Sequence, residues 1–233
     1  MYLKWADRDI YRISAWPCLV GTTLYVPATS TSGFLFSVAP AYPLSPLPTA
    51  PHPSLPVLTL PTHHFPTNSL PQTTFDELST SAHDEPGILK SRDFLSSLIA
   101  AEAKNGIPTT RVVLGGFSQG GAMALFTGLT GPHHLAGFFG LSSYLLMGGK
   151  VKDLVQQAKS NTDVPVFMGH GDRDPLVKYE WGVRTAKAME DMGWKVDFRT
   201  YKGLVHSAAP EEIDDLERYI ALRLPVEAGA GRA

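Results

Sequence analysis

The segment Arg111–Phe126, RVVLGGFSQGGAMALF, sets Ser118 between an apolar, strand-like run and a glycine-rich, helix-like one. Gly116-Phe117-Ser118-Gln119-Gly120 fits the pattern G-x-S-x-G, a strained turn that lifts a serine hydroxyl clear of a sheet. Neighbouring chain must approach such a turn closely, so the flanking positions tolerate little beyond hydrogen. The chemistry this suits is attack of a serine hydroxyl on an acyl carbon. The Gln119 amide, at the start of the following helix, would face the oxyanion formed. A hydroxyl near neutral pH also needs a base, and the base an orienting carboxylate. The order expected with this turn is serine, acid, histidine. MGHGDRDPLV places Asp172 and Asp174 after one strand-like run, and YKGLVHSAAPEE places His206 after the next. Ser118, Asp174 and His206 are therefore the expected catalytic set.

Each of these residues has a plainer use. G-x-S-x-G also arises by chance in strand-to-helix connections. An aspartate can cap a turn or helix, the role expected of Asp172. A single loop histidine is more often a surface residue than a base. His170 precedes both aspartates, which breaks the order, and is expected to be a packed or hydrogen-bonded loop residue. His63-His64 and His133-His134 resemble metal pairs, but adjacent residues on a strand point to opposite faces. No neighbouring Cys, His or Asp completes either set, so no metal is expected.

The elements that would position these residues alternate after Asp76. Helical spacing is legible over Ile88–Lys104, Gly120–Thr130, Lys150–Ser160, Glu180–Met192 and Pro210–Leu224. Strand-like runs cover Arg111–Gly116, Ala136–Leu141, Val164–Met168 and Val196–Tyr201. Pro210 and the acidic residues Glu211, Glu212, Asp214 and Asp215 open the last helix, with Arg218 and Arg223 later, as the helix dipole favours. Alternation of this kind predicts an α/β fold with a mainly parallel sheet covered on both faces. In such sheets reactive groups collect beyond the carboxyl ends of the strands, where all three candidates fall.

The first third of the chain is unlike the rest. From Ile13 to Phe75 there is no Asp, Glu, Lys or Arg, and most of the 19 prolines precede Asp76. Repeated proline forbids a long helix. Leu24–Val26, Phe34–Val38 and Val57–Leu60 are candidate strands. The other readings are a linker, a glycosylated stalk, or a frame or intron read as protein. The expected division is 1–75 as an atypical uncharged region, 76–225 as the α/β domain and 226–233 as a tail. At 233 residues one domain is expected. A net charge of −2 and a pI near 6.4 offer no attraction to nucleic acid or an anionic membrane. The lone Cys18 rules out an intramolecular disulfide. Charged residues Asp7 to Arg12 and Pro17 spoil a signal peptide, and no stretch is apolar enough to span a bilayer. A cytoplasmic protein, with access to the nucleus, is expected.

From about Asp84 to Pro225 the sequence resembles the acyl-protein thioesterase and phospholipase/carboxylesterase family of α/β-hydrolases, especially its fungal members. The resemblance rests on NGIP, RVVLGGFSQGGAMALF, LAGFFGLSSYLL, VFMGHGDRDPLV and FRTYKGLVHSAAPEEIDDLERYI, in that order. It implies an α/β-hydrolase fold, Ser118 as nucleophile, His206 as general base and acid, Asp174 as orienting carboxylate and Gln119 as one oxyanion donor. It further implies hydrolysis of acyl thioesters, such as S-palmitoyl cysteine on proteins, or of related lipid and carboxylic esters, without a cofactor. Leu145, Leu146, Leu176 and Val177 would line the acyl site or pack the core. Tyr144 stands where the family commonly carries Trp.

The family's early strand ends in an H-G-x-G-D-x-G loop that supplies the second oxyanion amide, and that motif is missing here. The implied alternatives are a short-chain carboxylesterase or lysophospholipase, or a catalytically impaired remnant. Without the early strand, Arg111–Gly116 would be left as an edge unless Phe34–Val38 replaced it.

Overall fold

The computed structural model describes residues 84–158 and 160–225, and the backbone of four strands within residues 2–38. β1 (Tyr2–Lys4) and β2 (Tyr11–Ile13) form a separate antiparallel pair. Among the described residues the main sheet has six strands, in the order β3-β4-β5-β6-β7-β8. They are β3 (Thr22–Val26), β4 (Gly33–Val38), β5 (Val112–Phe117), β6 (Gly137–Leu141), β7 (Val166–Gly171) and β8 (Val196–Tyr201). β3 runs antiparallel to β4, and every later pairing is parallel.

β5, the strand that leads into Ser118, is not an edge. β4 pairs with β5 from Gly33↔Val112 to Ser37↔Gly116, so Phe34–Val38 fills the place of the neighbouring strand, and β3 is outermost among the described strands on that side. The candidate strand Val57–Leu60 lies outside the described residues, as do His63-His64.

Alternation along the strands builds two cores. Val112 and Leu114 of β5, Phe138 of β6, and Val166 and Met168 of β7 face one side. There they meet Ile88, Leu95 and Ile99 of α1 (Glu85–Lys104), Leu125 and Leu129 of α2 (Gln119–Thr130), Val151 and Val155 of α3 (Gly148–Ala158), and Ala186 and Met189 of α4 (Tyr179–Asp191). The interleaved Val113, Phe139 and Phe167 face the other side and meet Leu216 and Tyr219 of α5 (Pro210–Arg223). Period-two burial on both faces is why these strands read as continuous apolar runs. At Gly115 an added Cβ would run into the Phe139 ring, so that aromatic can cross β5 only over glycine.

Element boundaries differ from expectation for local reasons. α1 starts at Glu85 rather than Ile88, because the Asp84 carboxylate accepts the Gly87 amide at 3.1 Å and Pro86 suits a first turn. α3 begins at Gly148 rather than Lys150, since the Met147 carbonyl already accepts the Val151 amide at 2.9 Å. β7 runs on to Gly171 because β8 stays paired with it as far as Tyr201. That extension puts His170 in the strand, not in the loop.

Candidate active site

The carboxyl ends of β5, β7 and β8 bring the expected residues together. Ser118 sits between Phe117, the last residue of β5, and Gln119, the first of α2, with φ 56° and ψ −127°. A serine at positive φ is a strained conformation costing on the order of 1–3 kcal/mol. Two backbone bonds hold it: Ser118 N–H donates to the Leu141 carbonyl at 2.8 Å, and its own carbonyl accepts the Ala122 amide at 2.9 Å. The documented close approach falls one residue beyond the motif. A Cβ on Gly121 would stand 2.7 Å from the Gly116 carbonyl oxygen and 2.9 Å from Ser143 Cβ.

His206 lies on the loop between β8 and α5, with its ring tilted against Phe117 at a centroid distance of 4.7 Å. Its Nδ1 is 2.7 Å from Asp174 Oδ2 and its Nε2 is 3.0 Å from Ser118 Oγ. A carboxylate can only accept, so Nδ1 carries the hydrogen and Nε2 is left to accept from the serine hydroxyl. This is the arrangement that lets a histidine take a proton from a serine as the oxygen attacks.

Asp174 is positioned by its own loop. Oδ1 accepts the amides of Leu176 and Val177, both at 2.9 Å, while Oδ2 faces His206. Burial alone would raise its pKa, but the hydrogen bond from His206 and those from the two amides prevail and hold it below the ordinary 3.8. The site thus contains an ionised, buried carboxylate.

The remaining expected residues divide. Gln119 opens α2, ahead of the first intrahelical bond at Ala122, so the helix ladder does not engage its amide. The chain following β4, where a second oxyanion donor would be sought, lies outside the described residues. Leu145 and Leu146 pack in the main core and Val177 is buried, whereas Leu176 is 48% exposed beside the acid. Tyr144 is half-buried and meets Trp181 edge-on at 6.4 Å, and burial pushes its pKa up to about 12. His133 and His134 are in the loop before β6 rather than on a strand. The first bonds the Ser96 carbonyl and the second the Asp163 carboxylate, so each has its own partner. Among the described residues no group of His, Cys, Asp and Glu could hold a metal ion, and no helix is long and apolar enough to cross a membrane.

Asp172 and His170 keep the plainer roles expected of them, with partners the sequence did not show. Asp172 caps a turn that belongs to the neighbouring loop. Its Oδ1 accepts the Gly203 amide at 2.5 Å, across to the His206 loop, and Arg173 N–H adds a bond to the Leu204 carbonyl at 3.1 Å. Gly203 lies at φ 76°, a conformation that glycine adopts without a Cβ penalty. Asp172→Ala should therefore lower thermal stability by about 1 kcal/mol and turnover only a few-fold. A thermal melt and kcat measured on the same variant check both. His170 is fully buried, and its Nε2 donates to the Val177 carbonyl at 2.9 Å while standing 3.6 Å from Asp174 Oδ2. Burial holds its pKa below the ordinary value, so a neutral imidazole props the acid loop from beneath.

The geometry has counterparts among known proteins. The phospholipase/carboxylesterase family model matches residues 72–224. Acyl-protein thioesterase 1 of Neurospora crassa is 49% identical over 142 residues, which are 61% of this chain and 58% of that protein. Its namesake from Emericella nidulans is 47% identical over 147 residues, 63% of this chain and 62% of that one. The chain thus spans less than two thirds of either relative. Among solved structures, Arabidopsis thaliana SOBER1 aligns with a TM-score of 0.56 at 28% identity, covering 61% of this chain and 67% of that one. Zea mays acyl-protein thioesterase 2 aligns with a TM-score of 0.55 at 26% identity, again covering 61% and 67%. The matched span contains the elbow, the acid loop and the histidine loop in one sheet of α/β-hydrolase type, and the chain belongs to the phospholipase/carboxylesterase family.

Proposed function

We propose that the chain is a serine hydrolase that cleaves acyl thioesters or carboxylic esters through an acyl-serine intermediate, with S-acylated proteins as its substrate class. One observation carries the reading: a single buried imidazole lies within bonding distance of both Ser118 Oγ and an ionised Asp174. Ser118 Oγ bonds to the acyl carbon while His206 Nε2 takes the hydroxyl proton. The carbonyl π electrons move onto oxygen, where the Gln119 amide meets them. The intermediate then expels the thiolate or alkoxide, which leaves with the proton from His206. Water repeats the sequence on the acyl-serine, giving the free acid and restoring Ser118. Asp174 keeps its charge throughout, holding the imidazole tautomer and stabilising the imidazolium. Exposed Leu176, two residues past Asp174, is the member of the expected apolar set best placed to touch an acyl chain, since the other three are buried.

A fluorophosphonate probe should label the folded protein covalently, and Ser118→Ala should take no label. Folded protein without labelling would overturn the reading. Paired kinetics on an acyl thioester and the matching oxygen ester then decide which bond is preferred.

A further inference from the structure

Two buried acids at this end of the molecule are treated in opposite ways. Asp174 receives three hydrogen bonds, from His206, Leu176 and Val177. Glu212, in the first turn of α5, is 0% exposed, and neither of its carboxyl oxygens has a hydrogen-bond partner among the described residues. It is pressed against β7, where a Cβ on Gly169 would strike its Oε1. Gly169 in turn accepts the Ser142 amide at 2.8 Å and precedes the strand end from which the acid loop departs.

The charged and titratable groups around Glu212 do not favour an anion there. Asp174 acts on it from the acid loop and Asp215 from its own helix, and it acts in turn on Tyr201 at the end of β8. The guanidinium groups of Arg199 and Arg218 are paired with Asp215. Only the Ala209 amide at the helix N-cap favours the charged form. An unpaired buried carboxylate is costly enough that the group keeps its proton instead.

We propose that Glu212 is a positioning residue that must stay uncharged for the triad to hold: the neutral carboxyl seats the first turn of α5 on Gly169, and with it the loop that presents His206. This rests on the reading of Ser118, Asp174 and His206 as a working triad. The link is short, because Ala209 caps the helix three residues after His206 and its carbonyl accepts the Ile213 amide at 3.1 Å. A charged Glu212 seeks water, unseats that turn and carries His206 away from Ser118.

Burial, assisted by Asp174 and Asp215 and opposed by the Ala209 amide, raises the Glu212 pKa from the ordinary 4.5 to about 8. The folded state therefore holds a proton that the unfolded chain has already released. Stability falls as pH rises between those two values and is unaffected by this group outside them.

The test compares wild type with Glu212→Gln, following the rate of fluorophosphonate labelling and the melting temperature from pH 5 to 9.5. Wild-type labelling should fall about tenfold by pH 9, one unit above the midpoint, while Glu212→Gln stays level from pH 7. The wild-type melting temperature should also drop relative to the variant between pH 5 and 8. Parallel curves for the two proteins would overturn the proposal. So would a glutamine variant that does not fold, because a neutral side chain of the same size must be accepted there. A wild type that takes no label at any pH would instead sink the triad reading, and the melting curves alone would then decide the role of Glu212.

Discussion

Replacing His206 by alanine should abolish turnover, with a loss on the order of 10⁶ in kcat, equivalent to about 8 kcal/mol of transition-state stabilisation. The size follows from the lack of a substitute base. His170 is the other histidine near the acid, but its Nε2 is committed to the Val177 carbonyl, and the ring that meets Ser118 Oγ is that of His206. Without His206 the Ser118 hydroxyl has no acceptor for its proton, and the leaving thiolate or alkoxide has no donor. The fold should persist, because the ring contributes one aromatic contact, to Phe117 at the carboxyl end of β5. Steady-state kcat together with a thermal melt checks this. Full activity in a folded His206→Ala protein would refute the assignment.

Asp174→Asn should reduce kcat by about 10⁴ while leaving substrate binding nearly unchanged. Two amides determine which way the new side chain must point. Oδ1 accepts from both Leu176 and Val177, so the asparagine oxygen has to remain there. Its NH₂ group is then forced toward His206 Nδ1, which must become an acceptor. The ring hydrogen moves to Nε2, which faces Ser118 and can no longer take a proton. The loss should therefore appear in kcat rather than KM. Asp172, two residues earlier, faces Gly203, and its removal should cost far less. A deeper loss at Asp172 than at Asp174 would reverse the assignment. Stability carries a second signature. The bonds holding the Asp174 pKa below 3.8 contribute fully above that pH and are lost as the pH falls through the lower, folded-state value. Asp174→Asn should lose the part of the acid-side melting dependence that comes from this group.

Ser118, Asp174 and His206, which the fold brings together, could be singled out in the sequence because each depends on local pattern: an apolar run, a turn, then a reactive side chain at a strand's carboxyl end. Period and turn chemistry are properties of a few neighbouring residues, so they survive in one dimension. Glu212 was legible as one of the acidic residues that open the last helix, and α5 begins there, but its burial was not. It shares the inward stripe of α5 with Leu216 and Tyr219, spaced four and three residues apart. Its burial depends on Gly169, a residue far away in the chain that leaves room for the carboxyl. The acyl-site candidates show the converse. Leu145, Leu146, Leu176 and Val177 look alike by type, and only packing separates the exposed Leu176 from its buried companions.

By itself the sequence determined the strand–helix alternation, the strained serine turn and the chain order of Ser118, Asp174 and His206, because backbone sterics and hydrophobic period act over short separations. Tertiary structure decided the rest. Parallel pairing of β4 with β5 kept the strand that leads into Ser118 inside the sheet. The bond from Gly203 to Asp172 joined the acid and histidine loops. The fold also gave Asp174 three donors and left Glu212 with only the Ala209 amide to favour its charge. The physical reason is that desolvation and hydrogen-bond supply are set by whatever packs alongside a group, and across a sheet those neighbours come from distant parts of the chain.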